Sequence, residues 1–129
     1  MEIIFLDPHK MERLRSCLNH DPEFELAARF MSHNIRLGVG ESECIVKVSD
    51  GIVTEIKLPP FSEPCDFSIE GPSQSWENLL EPVPPPFYNS LFAGLQRGNF
   101  RLTGDLEVAY AYLWAMNRMV DIMRQLQNE

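Results

Sequence analysis

Histidine, cysteine and carboxylate side chains are the groups that most often catalyse reactions or bind metals, and in this chain they are scattered. The three histidines, His9, His20 and His33, lie at spacings that place no two of them on one helical face. We therefore expect solvated or capping histidines and no metal site. The carboxylates occur singly at positions predicted to be exposed, with no pair arranged as acid and base. The sequence thus predicts a protein that is not an enzyme, with no catalytic residue and no cofactor.

Two glycine-containing segments share only part of the pattern of phosphate-binding loops. The segment "GVGESE" lacks a third glycine and falls between predicted strands, so we interpret it as a bulge or a turn. The segment "TGDLE" opens a helix whose amino end could hold an anion, but Asp105 already places a negative charge there as a cap.

The cysteines Cys17, Cys44 and Cys65 are odd in number and have no CxxC spacing. This pattern predicts buried free thiols in a reducing compartment.

Length and charge narrow the class of protein. A chain of 129 residues can form one domain, and 19 acidic against 11 basic residues give a net charge of −8. This charge argues against nucleic acid and against an anionic membrane surface as partners. The opening "MEIIFLD" has no basic lead, and the longest apolar run, "VAYAYLWAM", is about half of a membrane span. We therefore predict a cytoplasmic protein with no integral membrane association.

Two Asp-Pro pairs predict two helices at the amino-terminal end, because aspartate caps a helix and proline is tolerated in its first turn. The pair Asp7-Pro8 predicts a helix over residues 8–18 that buries Met11, Leu14 and Leu18. The pair Asp21-Pro22 predicts a helix over residues 22–31 that buries Leu26, Ala27 and Phe30.

The segment "ECIVKVSDGIVTEIKL" predicts a β-hairpin around Asp50-Gly51. A two-residue turn pairs Ser49 with Ile52 and places the valines of the first strand beside charged residues. A loop one residue longer pairs Val48 with Ile52 and keeps the apolar side chains on one face. We favour the longer loop.

Three more strands follow from alternating apolar residues in "NIRLGVG", "CDFSIEG" and "NFRLTG". Between them, "SQSWENLL" predicts a short helix capped by Ser73 or Ser75. After the stiff connector "EPVPPP", Pro86 opens and Gly98 closes a helix that presents Phe87, Leu91 and Leu95 on one side. The elements are segregated along the chain, which is typical of an α+β fold with helices on one face of an antiparallel sheet.

The segment "LEVAYAYLWAMNRMVDIM", residues 106–123, predicts one long helix with an unusually wide apolar surface. Its apolar residues span roughly 200° of the helix circumference, about twice the width that packing on one core requires. The excess has three explanations: a helix packed on two sides, an apolar ligand pocket, or a surface for another protein. Met116, Met119 and Met123 favour the two adaptable alternatives, because methionine repacks around varied shapes.

The segments "CDFSIEGPSQSWENLL" and "GNFRLTGD", separated by a proline-bounded helix and followed by the long apolar helix, resemble the sterol carrier protein type 2 domain. The similarity covers residues 35–125 and is greatest to a prokaryotic branch of that superfamily. It implies one domain over residues 1–129, with amino-terminal helices in 1–33 and a five-stranded, mainly antiparallel sheet covered on one face by helices in 34–129. An apolar tunnel between sheet and helices would then be lined by Trp76, Leu80, Phe87, Leu91, Leu95, Leu113, Met116 and Val120.

This resemblance implies a non-catalytic lipid carrier whose partner is an apolar small molecule, such as a fatty acyl chain, an acyl-CoA or an isoprenoid. The alternative is a structural or interaction protein on the same fold, either a homodimer or an accessory subunit, whose core is filled. Trp114 and Tyr110 would then belong to its contact surface.

Overall fold

Five strands form one mixed sheet in the computed structural model, which describes residues 2–97 and 99–129. The strands are β1 Asn34–Val39, β2 Ser42–Ser49, β3 Ile52–Lys57, β4 Phe67–Gly71 and β5 Arg101–Gly104, in the spatial order 3-2-1-4-5. β1 pairs antiparallel with β2 and parallel with β4, while β2–β3 and β4–β5 are antiparallel. The predicted α+β class and mainly antiparallel sheet are confirmed, and the parallel pair is an addition to the prediction.

Helices and one short 3₁₀ turn pack on one face of this sheet. Besides the turn at Ile4–Leu6, they are α1 Met11–Asn19, α2 Pro22–Ala28, α3 Ser73–Leu79, α4 Leu91–Arg97, α5 Leu106–Ala111 and α6 Leu113–Gln127. Two predicted caps are confirmed. The Asp21 carboxylate accepts a hydrogen bond from the Phe24 amide at 2.8 Å, and the Asp105 carboxylate accepts one from the Val108 amide at 3.2 Å.

The first helix begins three residues later than predicted. Asp7 does not cap it, because the Asp7 carboxylate accepts a hydrogen bond from the His9 amide at 3.0 Å and holds residues 8–10 in a turn. The predicted inner face of the helix is confirmed: Met11, Leu14 and Leu18 all lie in the core.

The second helix is rotated relative to the prediction and ends at Ala28. Leu26 and Phe30, predicted to be buried, are 65% and 76% exposed, while Phe24 and Ala28 are buried instead. The reason is a contact with α6. Arg118 donates two hydrogen bonds to the Asp21 carboxylate, at 2.8 and 2.9 Å, and this ion pair holds α2 against α6 with Phe24 inward.

The favoured hairpin register was wrong. Ser49 pairs with Ile52 across a two-residue turn, in which Asp50 and Gly51 have φ angles of 50° and 79°. The register shifts at Lys47/Val48, where a β-bulge leaves Thr54 without a partner residue in β2. The bulge restores the apolar alignment beyond the tight turn, because Val53 and Ile56 then both face inward.

The helices around the proline connector also begin at other residues than predicted. Pro72, and neither Ser73 nor Ser75, occupies the cap position of α3. α4 begins at Leu91 because the Ser90 hydroxyl accepts a hydrogen bond from the Ala93 amide at 3.1 Å. Phe87 therefore precedes α4, with a φ of 73°. The predicted closing residue, Gly98, lies outside the described residues.

The long carboxy-terminal helix is two helices. The chain departs from helical geometry at Tyr112, with φ −111° and ψ 22°, between α5 and α6. The Tyr112 hydroxyl donates a hydrogen bond to the Phe30 carbonyl at 3.1 Å, and its ring lies 5.7 Å from that of His33. A tertiary contact thus accompanies the break in a sequence whose local pattern is continuously helical.

The opposite face of the sheet carries ion pairs in place of helices. Arg36 binds Glu43 and Glu70 at 3.0 and 3.2 Å across neighbouring strands. Glu63, in the connection between β3 and β4, lies 2.7 Å from Lys57 and 3.4 Å from Lys47. Contact with Lys57 lowers the pKa of Glu63 to about 2. This face is therefore closed by polar contacts, and the apolar core lies between the sheet and the helices.

Candidate functional site

The space between sheet and helices is almost purely apolar. Among the described residues, Ser68 and Ser75 are the buried polar side chains. Ser68 alternates with the inward-facing Phe67 and Ile69 on β4 and so faces the other side of the sheet. All five described methionines, Met11, Met31, Met116, Met119 and Met123, belong to the core. An interior of this composition can hold apolar groups, and its methionines can adopt several rotamers at small cost.

Trp76 lies at the centre of an aromatic cluster in this interior. Its indole nitrogen donates a hydrogen bond to the Gly38 carbonyl at 2.8 Å, so the polar end of the ring is satisfied on the central strand. Phe5 and Phe100 each meet the ring edge-on with centroids 4.9 Å away. The indole is therefore fixed on several sides.

Two glycines allow Phe100 to sit in this cluster. A methyl group on Gly71 or Gly94 would lie 2.9 Å from the Phe100 ring, closer than carbon atoms approach. Phe100 thus occupies the space between the end of β4 and α4, where no side chain competes with it. Tyr88 meets the same ring at 6.4 Å.

The eight residues predicted to line a tunnel lie at graded depths. Five of them, Trp76, Leu80, Leu91, Met116 and Val120, are at most 2% exposed and lie in the core. Leu95 and Leu113 are half-buried and pack against it. Phe87 is 49% exposed, with the Arg97 guanidinium 5.4 Å from its ring centroid. In this structure the interior positions are filled by the chain's own side chains.

Clefts of about 200 to 440 Å³ open on the surface of the described residues. The cleft of about 440 Å³ lies between α1 and β3, beside Met11, Arg15 and Ile56. None of these clefts is lined by any of the eight predicted residues. Those eight therefore remain predicted ligand contacts.

Other apolar side chains are also half-buried against the core, and two of them, which the prediction missed, lie on the elements next to α6 along the chain. They are Leu102 on β5 and Val108 on α5, and both pack against the core. We call the set of half-buried side chains Leu95, Leu102, Val108 and Leu113 the apolar corner; what these residues share is that each packs against the core. The alternation in "NFRLTG" already indicated that Leu102 faces inward, whereas Val108 gave no signal apart from its place in the wide apolar arc.

The connector and α4 are attached to α6 largely through backbone groups. Arg124 donates hydrogen bonds to the Leu79 carbonyl, the shorter at 2.7 Å, and to the Tyr88 carbonyl at 3.3 Å. The Phe92 amide donates to the Asn117 side chain at 3.3 Å. These bonds hold α3 and the connector firmly at Arg124, while α4 itself makes one long polar contact to α6 among the described residues.

Cys44 is a titratable group buried in this interior. Burial raises the pKa of the Cys44 thiol to about 12, which keeps it protonated. Cys17 is half-buried and Cys65 is exposed, so the predicted burial of free thiols is confirmed for Cys44 alone. Across residues 2–97 and 99–129 there is no cluster of histidine, cysteine and carboxylate groups suited to a metal ion.

Large apolar side chains lie on the outer surface of the helices. Trp114 is 80% exposed and Tyr110 is 59% exposed, and Leu106 on α5 and Phe92 on α4 are also exposed. With Leu26 and Phe30 beside α6, these residues define what we call the outer apolar face. None of the described helices is both long and apolar enough to cross a bilayer.

Comparison with solved structures identifies the fold. The chain superposes on the crystal structure of sterol carrier protein 2 with a TM-score of 0.73 and 20% identity, over 88% of this chain and 92% of that one. A conserved hypothetical protein of Thermus thermophilus, described as possibly a sterol carrier protein, gives 0.67 and 20%, over 88% and 82%. A UbiJ-SCP2 ubiquinone synthesis protein gives 0.58 and 15%, over 88% and 90%.

These similarities are structural and lie at low identity. The sequence matches no protein-family model and no curated protein. The placement in a prokaryotic branch stays a prediction. The resemblance seen in the motifs is confirmed at the level of architecture: this chain has the fold of sterol carrier protein 2.

Proposed function

We propose that this protein is a non-catalytic carrier that binds an apolar molecule between its sheet and its helices. The observation that carries the proposal is the apolar corner, four side chains from α4, β5, α5 and α6 that each stay half-exposed while packing against the core. Its fold, shared with sterol carrier protein 2, supports the same function. The ligand class we favour is a fatty acyl chain, an acyl-CoA or an isoprenoid, and we expect the protein to act in the cytoplasm.

The route inward from the corner follows α6. Leu113, Met116 and Val120 lie on one side of this helix and pass from half-buried to buried. They span eight residues, that is seven steps along the helix axis, or roughly 10 Å. An alkyl chain entering beside Leu113 would therefore meet apolar groups over that length before reaching Val120.

Ligand entry requires that side chains give way, because the interior positions are filled. The methionines of α6 can change rotamer, and α4 can separate from α6 at the loss of one 3.3 Å hydrogen bond and its apolar contacts. Displacement of α4 would expose Leu91 and Leu95 together. We therefore expect slow uptake that is limited by this opening.

Titration with a fluorescent fatty acid tests the proposal. Leu113→Gln should weaken binding by about tenfold or more, because the polar amide would lie on the route of the alkyl chain. Leu6→Gln is the matched control, since Leu6 is also half-buried against the core but lies on the amino-terminal 3₁₀ turn. Absence of binding by the wild type, or equal weakening by both variants, would contradict the proposal.

One observation favours the alternative of an interaction protein with a filled core. The outer apolar face includes a tryptophan that is 80% exposed, and residues of this kind often anchor protein interfaces. Self-association through Trp114 and Tyr110 predicts a concentration-dependent dimer in sedimentation equilibrium. A monomer from micromolar to millimolar concentration would exclude that homodimer.

A further inference from the structure

The outer apolar face is a continuous surface of two adjacent helices and their neighbours. Asp21 at the start of α2 binds Arg118, and the Phe30 carbonyl beyond its end binds Tyr112. α2 therefore runs antiparallel to α6, with Leu26 near the level of Trp114. Both side chains point away from the buried faces of their helices, since Leu26 is 65% and Trp114 is 80% exposed.

The face extends toward α4 and toward the apolar corner. Asn117, one turn after Trp114, accepts the hydrogen bond from the Phe92 amide, so the exposed Phe92 side chain is carried next to α6. Leu113 of the corner directly precedes Trp114. The outer apolar face therefore lies next, along α6, to the position where we propose that a ligand enters.

The shape of the outer apolar face favours a lipid bilayer over a folded protein as its partner. The side chains stand on the outward surfaces of helices, and none of Leu26, Phe30, Tyr110 or Trp114 lines one of the described clefts. A protein partner would have to supply pockets for these projecting groups. A bilayer needs no preformed pocket, because lipid rearranges around an inserted ring.

The residue types of the outer apolar face also favour a lipid interface. Tryptophan and tyrosine concentrate at the headgroup level of bilayers, where their rings are in the apolar region and their polar atoms are hydrated. The Arg29 guanidinium lies 4.8 Å from the Phe30 ring centroid and has no carboxylate partner among the described residues. It is placed to bind a lipid phosphate while Phe30 enters the apolar layer.

The charge around the face selects the kind of bilayer. Glu25 and Glu107 are exposed next to Leu26 and Leu106, and the chain carries a net charge of −8. An anionic membrane would repel these groups. We propose that the outer apolar face docks the protein on zwitterionic phospholipid bilayers, with Trp114 and Phe30 inserted at the headgroup level.

Flotation with phosphatidylcholine vesicles tests this surface. Wild-type protein should float with the vesicles, and the fluorescence of Trp114 should shift to the blue, since Trp76 is already buried. Trp114→Gln and Phe30→Gln should each lower the partition coefficient by about tenfold. Val83→Gln is the control. Val83 is 84% exposed, but it lies on the connector that Arg124 and Asn128 fasten near the far end of α6.

Three results would overturn the proposal. One is wild-type protein that stays with the aqueous phase, and another is equal flotation of wild type and all variants. The third is a concentration-dependent dimer that Trp114→Gln abolishes in protein that does not float, because the face would then be a self-association surface. Titration of the same samples with the fluorescent fatty acid separates this proposal from the proposed function, since docking needs no ligand in the interior.

Discussion

Replacing Trp76 by phenylalanine distinguishes a packed interior from a hollow one. In the structure the indole is 1% exposed and its nitrogen donates to the Gly38 carbonyl. The variant loses part of the buried ring, at about 1 kcal/mol. It also leaves a buried carbonyl without its donor, at about 1–3 kcal/mol. The free energy of unfolding should therefore fall by roughly 2–4 kcal/mol.

The chain provides a matched control for this experiment, because it contains two tryptophans of opposite environment. Trp114 is 80% exposed, so Trp114→Phe should change the free energy of unfolding by less than about 0.5 kcal/mol. Urea unfolding of the three proteins, followed by circular dichroism, gives both differences. If Trp76→Phe cost less than about 1 kcal/mol, or no more than Trp114→Phe, the packing described around Trp76 would be refuted.

Two further predictions concern charge. Arg118→Met should lower the free energy of unfolding by about 1–3 kcal/mol at neutral pH, since it removes two charge-assisted hydrogen bonds to Asp21. Arg118 lowers the pKa of Asp21, so this difference should shrink in acid as the carboxylate protonates; a difference independent of pH would contradict the pairing. Lys57 lowers the pKa of Glu63 from 4.5 to about 2, so the ionised form of Glu63 stabilises the fold above pH 4.5, and this contribution is lost as pH falls toward 2. Glu63→Gln should make acid unfolding less steep over that interval, and an unchanged unfolding profile would show that the ion pair is absent in solution.

Local sequence patterns predicted the elements of this fold well, because apolar alternation and helix caps act over a few residues. The caps at Asp21 and Asp105 and the inward face of α1 all follow from such patterns. The errors come from contacts between distant residues. The rotation of α2 depends on a contact between Asp21 and Arg118, 97 residues apart.

The break in the carboxy-terminal helix has the same kind of origin. The hydrogen bond from Tyr112 to the Phe30 carbonyl joins residues 82 positions apart, and no local propensity indicates it. The prediction of the hairpin register was wrong for another reason. A tight turn and an apolar register are incompatible in a regular ladder, and the bulge at Thr54 allows both.

The apolar composition of the candidate site was predictable from the sequence, whereas the packing of its side chains was not. The family resemblance placed Trp76, Met116 and Val120 on the wall of the interior, and all three are buried. The same apolar spacing is produced by a filled core and by a ligand cavity, because both need apolar side chains on the inner face. Leu26 and Phe30 were predicted to be buried, but they are exposed and belong to the outer apolar face.

Native mass spectrometry of freshly purified protein, followed by organic extraction, shows whether the protein carries an apolar molecule in its interior. We expect a population heavier than the bare chain by one apolar molecule, which extraction releases and identifies as an acyl or isoprenoid compound. Leu113→Gln should lose that population, while Leu6→Gln should keep it. A single mass equal to the bare chain, in protein that also fails to take up a fluorescent fatty acid, would contradict a carrier function and favour a protein whose interior is permanently filled.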